Sequence, residues 1–335
     1  MKYSHIMYRF LIVTVLLVSL VLQGCAQQDK PVQTKAKTLI LYSELEPRFS
    51  LAIAEAFSKK YQDKIKVQVI TELTEDGVKP DVVVAEQRTL NGLYLDRKLK
   101  ALDCRAAALL PAEFQQTKKY WYGAFYDPTV FLVNQEFARN RGQNAIKDWD
   151  DLLRYPEPRL TMENLSNTNS TRNFLGGFAS ARGETDGLAT LLNLNRLVVK
   201  YANFPFSPIR MVAMGQADIA ITRQSYVFKY LESNFPAYIV YPRSGSPVNL
   251  YCVGVFDDCR REAEAAAFMD WFITSEDMQR IALSNETGYR FLLSEATLGE
   301  QKSWQQLWLN KYYLTAAPQE KLTNRWLEIV RFSGQ

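Results

Sequence analysis

Residues 38–96 alternate short apolar runs with amphipathic stretches, and that rhythm restricts the chain to few architectures. Thr38-Leu39-Ile40-Leu41-Tyr42 is a short apolar run suited to a buried strand, ending at Ser43-Glu44-Leu45-Glu46-Pro47. Phe49, Ile53, Ala56, Phe57 and Tyr61 then recur at three- and four-residue spacing, which predicts a helix. Its acidic start and Pro47 suit a helix N-terminus. Ile65–Val69 alternates apolar and polar residues as a strand does, Pro80–Glu86 reads as another buried strand, and a helix covers roughly Arg88–Asp96. This order argues for a parallel sheet with helices on its faces.

Further along, Trp121–Pro128 precedes a strand at Thr129–Val133, Trp149–Leu153 is a short helix, and Arg159–Met162 is an edge-like strand. Asn167–Thr171 opens a helix running through Phe174, Phe178 and Ala181, and 186–201 is helical with Leu188, Leu191, Leu192, Leu194 and Leu197 as its apolar face. Met211–Asp218 is a helix end and turn into a strand at Ile219–Thr222, followed by a helix at 225–233 and a strand at Tyr238–Tyr241. A turn at Ser244-Gly245-Ser246 leads to a strand at 250–256, then to helices at 260–273 and from Ser275. Glu300–Arg331 reads as a helical tail. The sequence contains no internal repeats.

At the N-terminus, Lys2 and Arg9 precede an apolar run from Phe10 to Leu22 broken only by Thr14 and Ser19, and Gly24-Cys25 follow. The run falls short of the roughly 20 apolar residues of a membrane span, and its basic, apolar and small-residue regions are laid out as in a secretory signal. The cysteine directly after a small residue resembles a bacterial lipobox. It implies a signal peptide at 1–24, lipidation of Cys25 and a polar leash at 25–37. The alternative is an uncleaved anchor helix. Either way the body is expected outside the cytoplasm, tethered to a membrane, in the periplasm or at the outer face of the cell membrane.

Removal of residues 1–24 takes with it the only histidine, His5, so no Ser-His-Asp or Cys-His arrangement and no histidine-ligated metal can be built in the mature chain. Paired carboxylates remain possible tools, but no spacing marks such a pair. Losing Lys2 and Arg9 leaves 38 of 40 basic residues against 36 acidic ones, a net +2, which gives no footprint for nucleic acid. A mature chain of about 310 residues is long enough for two lobes with separate cores. Cys104, Cys252 and Cys259 remain. Cys252 and Cys259 bracket strand-like residues, so the expectation is buried or free thiols.

Several stretches carry a resemblance to a known family: Leu41-Tyr42-Ser43 with its helix, Pro80-Asp81-Val82-Val83, Gly215-Gln216-Ala217-Asp218-Ile219-Ala220, Tyr241-Pro242, and Phe268–Gln279. From about residue 38 to 295 the chain resembles bacterial extracellular solute-binding proteins of ABC importers, of the class with ferric-iron, phosphonate and thiamine binders. The resemblance implies an α/β protein of the two-lobed type II periplasmic-binding fold, each lobe a mixed sheet flanked by helices. Lobe I is expected at 38–125 and 247–290, and lobe II at 126–246 and 291–335, with crossings near Tyr126 and Ser246. It also implies a monomer without catalysis or cofactor, whose partners are a small-molecule ligand and permease subunits. A sensor feeding a membrane kinase is an alternative.

Open α/β sheets bind ligands beyond the carboxyl ends of their strands. Ser43 follows the first strand, and it either faces the cleft or caps the helix. Ser170 and Thr171 sit at a helix start, where free N–H groups favour an anion and capping is the other role. Glu86 reads as a solvated or capping carboxylate, Arg172 and Arg210 as solvated, Tyr42 as packing, and Tyr126 as lining the cleft or packing. Where the family's ferric binders carry adjacent tyrosines, this chain has Gln224, Ser225 and a single tyrosine, Tyr226. Arg223 beside them offers a planar fork for phosphate, phosphonate or carboxylate, or a salt bridge. The expected ligand is a small anion or zwitterion held by Ser43, Tyr126, Ser170, Thr171, Arg223, Gln224 and Tyr226, with no metal. Ferric ion is the alternative.

Overall fold

The computed structural model describes residues 36–74, 76–141, 146–154, 157–231, 235–293 and 306–333. The signal segment, Cys25 and most of the leash lie outside these. In chain order, β1 (Lys37–Ser43) leads into α1 (Pro47–Lys60), whose first turn is capped by the Glu46 carboxylate accepting from Phe49 N at 3.2 Å. Next come β2 (Ile65–Ile70), β3 (Val82–Glu86), α2 (Gln87–Leu95), β4 (Leu99–Lys100) and β5 (Trp121–Asn134). They are followed by α3 (Gln135–Arg141), β6 (Leu160–Glu163), α4 (Asn169–Arg182), α5 (Glu184–Asn195), β7 (Val198–Ala202) and α6 (Ser207–Ala213). Then come β8 (Ile219–Arg223), α7 (Gln224–Leu231), β9 (Ala237–Val240), β10 (Ser246–Phe256), α8 (Glu262–Thr274) and α9 (Glu276–Ser284). The last elements are β11 (Arg290–Phe291), β12 (Leu307–Trp308) and α10 (Ala316–Trp326).

The main path of the sheet is β2-β1-β3-β10-β5-β8-β6-β7, with β4 and β12 pairing off it on β10 and β9 and β11 on β5. The pairs β1–β2, β1–β3, β6–β7 and β6–β8 are parallel, whereas β10 runs antiparallel to both β3 and β5. The sheet is therefore mixed, with two parallel βα regions joined through antiparallel centre strands. Every residue of β5 is buried, and the strand belongs to both halves. Trp121–Pro128 pair with β10, and Thr129–Val133 pair with β8. The changeover falls at Pro128, which has no N–H to give to a ladder.

One apolar core gathers Phe49, Phe57, Phe125, Phe268 and Phe272 around the first half. A second gathers Phe131, Trp149, Phe178, Trp308 and Trp326 on one face of the second half, and Val130, Ile209 and Val227 fill its other face. The C-terminal stretch borders both cores, because Leu292 and Leu309 join the first and Trp308 and Trp326 the second.

Four readings of the sequence change. The helix expected over 186–201 ends at Asn195, and Val198–Ala202 is strand β7 paired with β6. Leu197 continues the apolar run across that boundary and hides it, while β-branched Val198 and Val199 favour the sheet. The strand at 159–162 is not at an edge, since β6 lies between β8 and β7. The strand read from Thr129 begins at Trp121, because Gly123, Asp127 and Pro128 interrupt its apolar pattern. In the tail, Leu307–Trp308 pair in parallel with the start of β10, and among the described residues the α-helix runs over Ala316–Trp326, residues 300–305 of the expected tail lying outside them. Among the described residues no helix is long and apolar enough to cross a membrane.

Candidate functional site

Three element ends from far-apart segments converge beside the β5 changeover: Glu86 closes β3, Ser170 lies in the first turn of α4, and Arg223 closes β8. The α4 terminus is built by a capping box. Thr168 Oγ1 accepts from Thr171 N at 3.1 Å, and Thr168 N donates to Thr171 Oγ1 at 3.0 Å. Thr171 is thereby engaged in the cap, and the Ser170 hydroxyl between them is left for the cleft.

The Ser170 hydroxyl is the node of the site. Arg223 Nη1 donates to its oxygen at 2.8 Å, and Asn249 Nδ2 donates to it as well. Both partners are donors only, so the single Ser170 O–H must point at Glu86 Oε1, 2.9 Å away. Asn249 Nδ2 also lies 3.4 Å from Glu86 Oε1. Asn173 orients the Asn249 amide by donating to its Oδ1 at 2.8 Å and to Val248 O at 3.0 Å.

Beneath Arg223 lies Asp127, 1 % exposed. Its two oxygens accept from Ser225 N at 3.0 Å and Ser225 Oγ at 2.6 Å, and Arg223 Nη1 stands 4.0 Å off. Burial pushes the Asp127 carboxyl up to about 6, with Arg223 and the Ser225 hydrogen bonds opposing the rise and Glu86 adding to it. The Arg223 guanidinium also stacks on the Tyr226 ring at 4.0 Å, and that ring meets Phe206 edge-on at 5.2 Å. Burial works against the Arg223 charge, but Asp127, Tyr251, Glu86 and Glu163 lift its pKa above the ordinary value. Burial also raises the Glu163 carboxyl and the Tyr251 phenol.

The remaining space beside Arg223, lined by Thr129, Glu163, Ser170, Thr171 and Asn249 among others, is about 30 Å³. That volume suits a water molecule. Beside this space a hydrogen bond runs from Ser170 on the second half to Glu86 on the first.

Of the residues singled out from the sequence, Ser170, Thr171, Arg223 and Tyr226 come together here. Tyr126 and Gln224 do not. Side chains alternate along β5, so Tyr126 and Pro128 face a separate cavity of about 720 Å³, whereas Thr129 lines the Arg223 cavity. Gln224 lines that larger cavity too, donating to Gly288 O, and its Oε1 has no hydrogen-bond partner among the described residues. Ser43 lies under the entry to α1, sharing a hydrogen with Ser50 Oγ at 2.8 Å and accepting from Leu45 N at 3.2 Å.

Glu86, read as a solvated or capping carboxylate, instead bridges the two halves, and its side chain does not cap α2. Arg172 donates to Ser166 O at 3.0 Å. Asp127 and Asn249 were missed altogether. Their signal is a carboxylate after Phe125-Tyr126 and a carboxamide before Leu250-Tyr251, polar groups in buried strands that demand a partner. Cys104, Cys252 and Cys259 are free and buried, as expected. Among the described residues no group of three His, Cys, Asp or Glu side chains could hold a metal ion.

The bacterial extracellular solute-binding protein family matches residues 78–313, and the chain belongs to that family. No curated protein matches the sequence. Among solved structures, the periplasmic binding protein AfuA from Actinobacillus pleuropneumoniae, with fructose-6-phosphate bound, is 17% identical with a TM-score of 0.66 over 89% of this chain and 99% of its own. Iron-bound HitA from Pseudomonas aeruginosa is 17% identical with a TM-score of 0.64 over 89% and 100%. Ferric iron-binding protein A of Mannheimia haemolytica, in an open conformation, is 15% identical with a TM-score of 0.67 over 88% and 98%. The fold is the two-lobed type II periplasmic-binding fold, and the chain is a bacterial extracellular solute-binding protein.

Proposed function

We propose that this protein captures a small anionic or zwitterionic ligand, of the phosphonate or organic phosphate kind, between its lobes at Arg223 and passes it to permease subunits. The observation that carries the reading is the convergence on one point of a guanidinium, a hydroxyl in the first turn of α4 and an Asn249 amide donor. A guanidinium fork and a helix N-terminus are both suited to a tetrahedral or planar oxyanion. The sugar-phosphate complex of the AfuA fold supports the same ligand class. Cys25 would carry the lipid and residues 26–37 the tether. The lobes would be 38–125 with 247–290 and 126–246 with 291–335, a division that the two cores support in outline, although the β5 changeover falls at Pro128 and Leu292 and Leu309 pack in the first core. The protein would act as a monomer without catalysis.

Ferric ion is a second reading. It is favoured by the buried phenols of Tyr251 and Tyr289, whose ring centroids are 5.1 Å apart in the same electrostatic neighbourhood as Glu86 and Asp127, and by the iron-bound relative fold. One thermal-shift titration separates the two. Residues 26–335 are mixed with ethylphosphonate, 2-aminoethylphosphonate, sugar phosphates, and ferric ion with and without citrate. A ligand at a hundred times its Kd adds about 2.7 kcal/mol of stability. The Arg223 reading expects a rise with an oxyanion alone and at least tenfold weaker binding in Arg223→Lys, which keeps the charge over Asp127 but loses the fork. A rise only with ferric ion, or unchanged affinity in Arg223→Lys, overturns it.

A further inference from the structure

We infer that Glu86 is an internal stand-in for the ligand's anion. Its carboxylate bridges the two lobes and makes the site select ligands that carry a cationic group beside the anionic one. The inference rests on the reading of Arg223 as the anion anchor.

The hydroxyl that would grip an incoming oxyanion already points at a carboxylate of the chain itself, while Arg223 and Asn249 point at that hydroxyl. Ser170 donates its only O–H to Glu86 Oε1 while accepting from Arg223 and Asn249, so the hydroxyl is saturated. Glu86 ends β3 in one half, whereas Ser170 and Arg223 belong to the other, and the bond therefore spans the cleft. With it in place only about 30 Å³ remains beside Arg223, too little for a phosphonate. An entering anion must take the Ser170 hydroxyl and the open side of Arg223, and Glu86 must leave that hydroxyl.

What happens to the displaced charge decides specificity. Asp127 stands 4.0 Å from Arg223, Glu163 lines the same cavity and Glu86 is bonded to Ser170, so three carboxyl groups bear on Arg223. Arg88 is the second guanidinium that bears on Glu86. A simple dianion brought into this neighbourhood meets the carboxyl groups' repulsion in a partly buried, weakly screened setting. An ammonium on the same ligand removes it by pairing with the Glu86 carboxylate that its own anionic end has freed. Glu86 is then the specificity-determining residue, rewarding the zwitterion and penalising the bare anion.

Two variants of the full mature chain test this. Glu86→Gln removes the charge and keeps the shape. In the wild type, 2-aminoethylphosphonate should bind more tightly than ethylphosphonate, and Glu86→Gln should shrink that ratio of Kd values at least tenfold, chiefly by tightening the bare phosphonate. Glu86→Ala removes the bridge, so small-angle scattering of the ligand-free variant should show a larger radius of gyration than the wild type, with far-UV circular dichroism unchanged. An unchanged Kd ratio, or equal weakening of both probes, overturns the selective role, and unchanged scattering overturns the bridge. If neither phosphonate binds the wild type or Glu86→Gln, the reading of Arg223 fails, and the scattering still decides whether Glu86 holds the lobes together.

Discussion

Asp127 gives the sharpest test of the electrostatics beneath the site. It is buried at the strand changeover, and burial outweighs Arg223 at 4.0 Å, so its carboxyl is pushed up to about 6 from an ordinary 3.8. A pKa raised in the folded state means that folding favours the protonated form. The resulting stability is fully present below about pH 3.8 and is lost as pH rises through about 6. Over that window the displacement amounts to about 3 kcal/mol. Asp127→Asn cannot ionise and keeps an oxygen for the Ser225 N–H. Urea denaturation of wild type and variant at pH 4, 5, 6 and 7 isolates the group, because the other carboxylates are common to both. The wild type should lose about 2 kcal/mol relative to the variant between pH 4 and 7, the rest of the displacement lying below pH 4. A difference that stays flat, or that grows in the wild type's favour with pH, would mean that Arg223 dominates over burial and would refute the reasoning.

Other outcomes follow from the packing. Trp149 is fully buried, with Phe131 at 4.9 Å, Phe178 at 5.0 Å and its Nε1 donating to Gly245 O at 2.9 Å. Trp149→Ala should cost about 3–5 kcal/mol in urea denaturation, and a loss below about 1 kcal/mol would show that the second core does not depend on it. The thiols should be inert. Burial lifts Cys259 to about 11 and Cys104 to about 12, and it raises Cys252 well above the ordinary value. A thiol reagent at pH 8 should titrate none of the three in folded residues 26–335 and all three in denaturant, and rapid labelling of the folded protein would contradict the burial.

Much of the fold could be read locally. Strands β1 and β3 are continuous apolar runs, and α1 declares itself by spacing and by its Pro47 start. Local reading failed where a tertiary partner overrode pattern. β7 pairs with β6 although Leu197 prolongs the preceding apolar run, and β5 continues through Gly123, Asp127 and Pro128 because β10 pairs along its first half. At the site, Ser170 and Arg223 were legible as an exposed helix start and a lone cation after a strand. Glu86 was visible but misjudged, because its partner lies 84 residues away.

By itself, the sequence determined the α/β rhythm, the helix starts, the lack of any histidine beyond His5 and the presence of a cation at the end of β8. Each of these depends on a residue and its near neighbours. Tertiary structure alone decided that Glu86, Ser170, Arg223 and Asn249 share one node, that Asp127 lies under it, and that Tyr126 and Gln224 face another cavity. The physical reason is the strand order. β10 inserts between β3 and β5, and β5 passes from one half of the sheet to the other, so side chains 53 to 84 residues apart meet where no local pattern could bring them together.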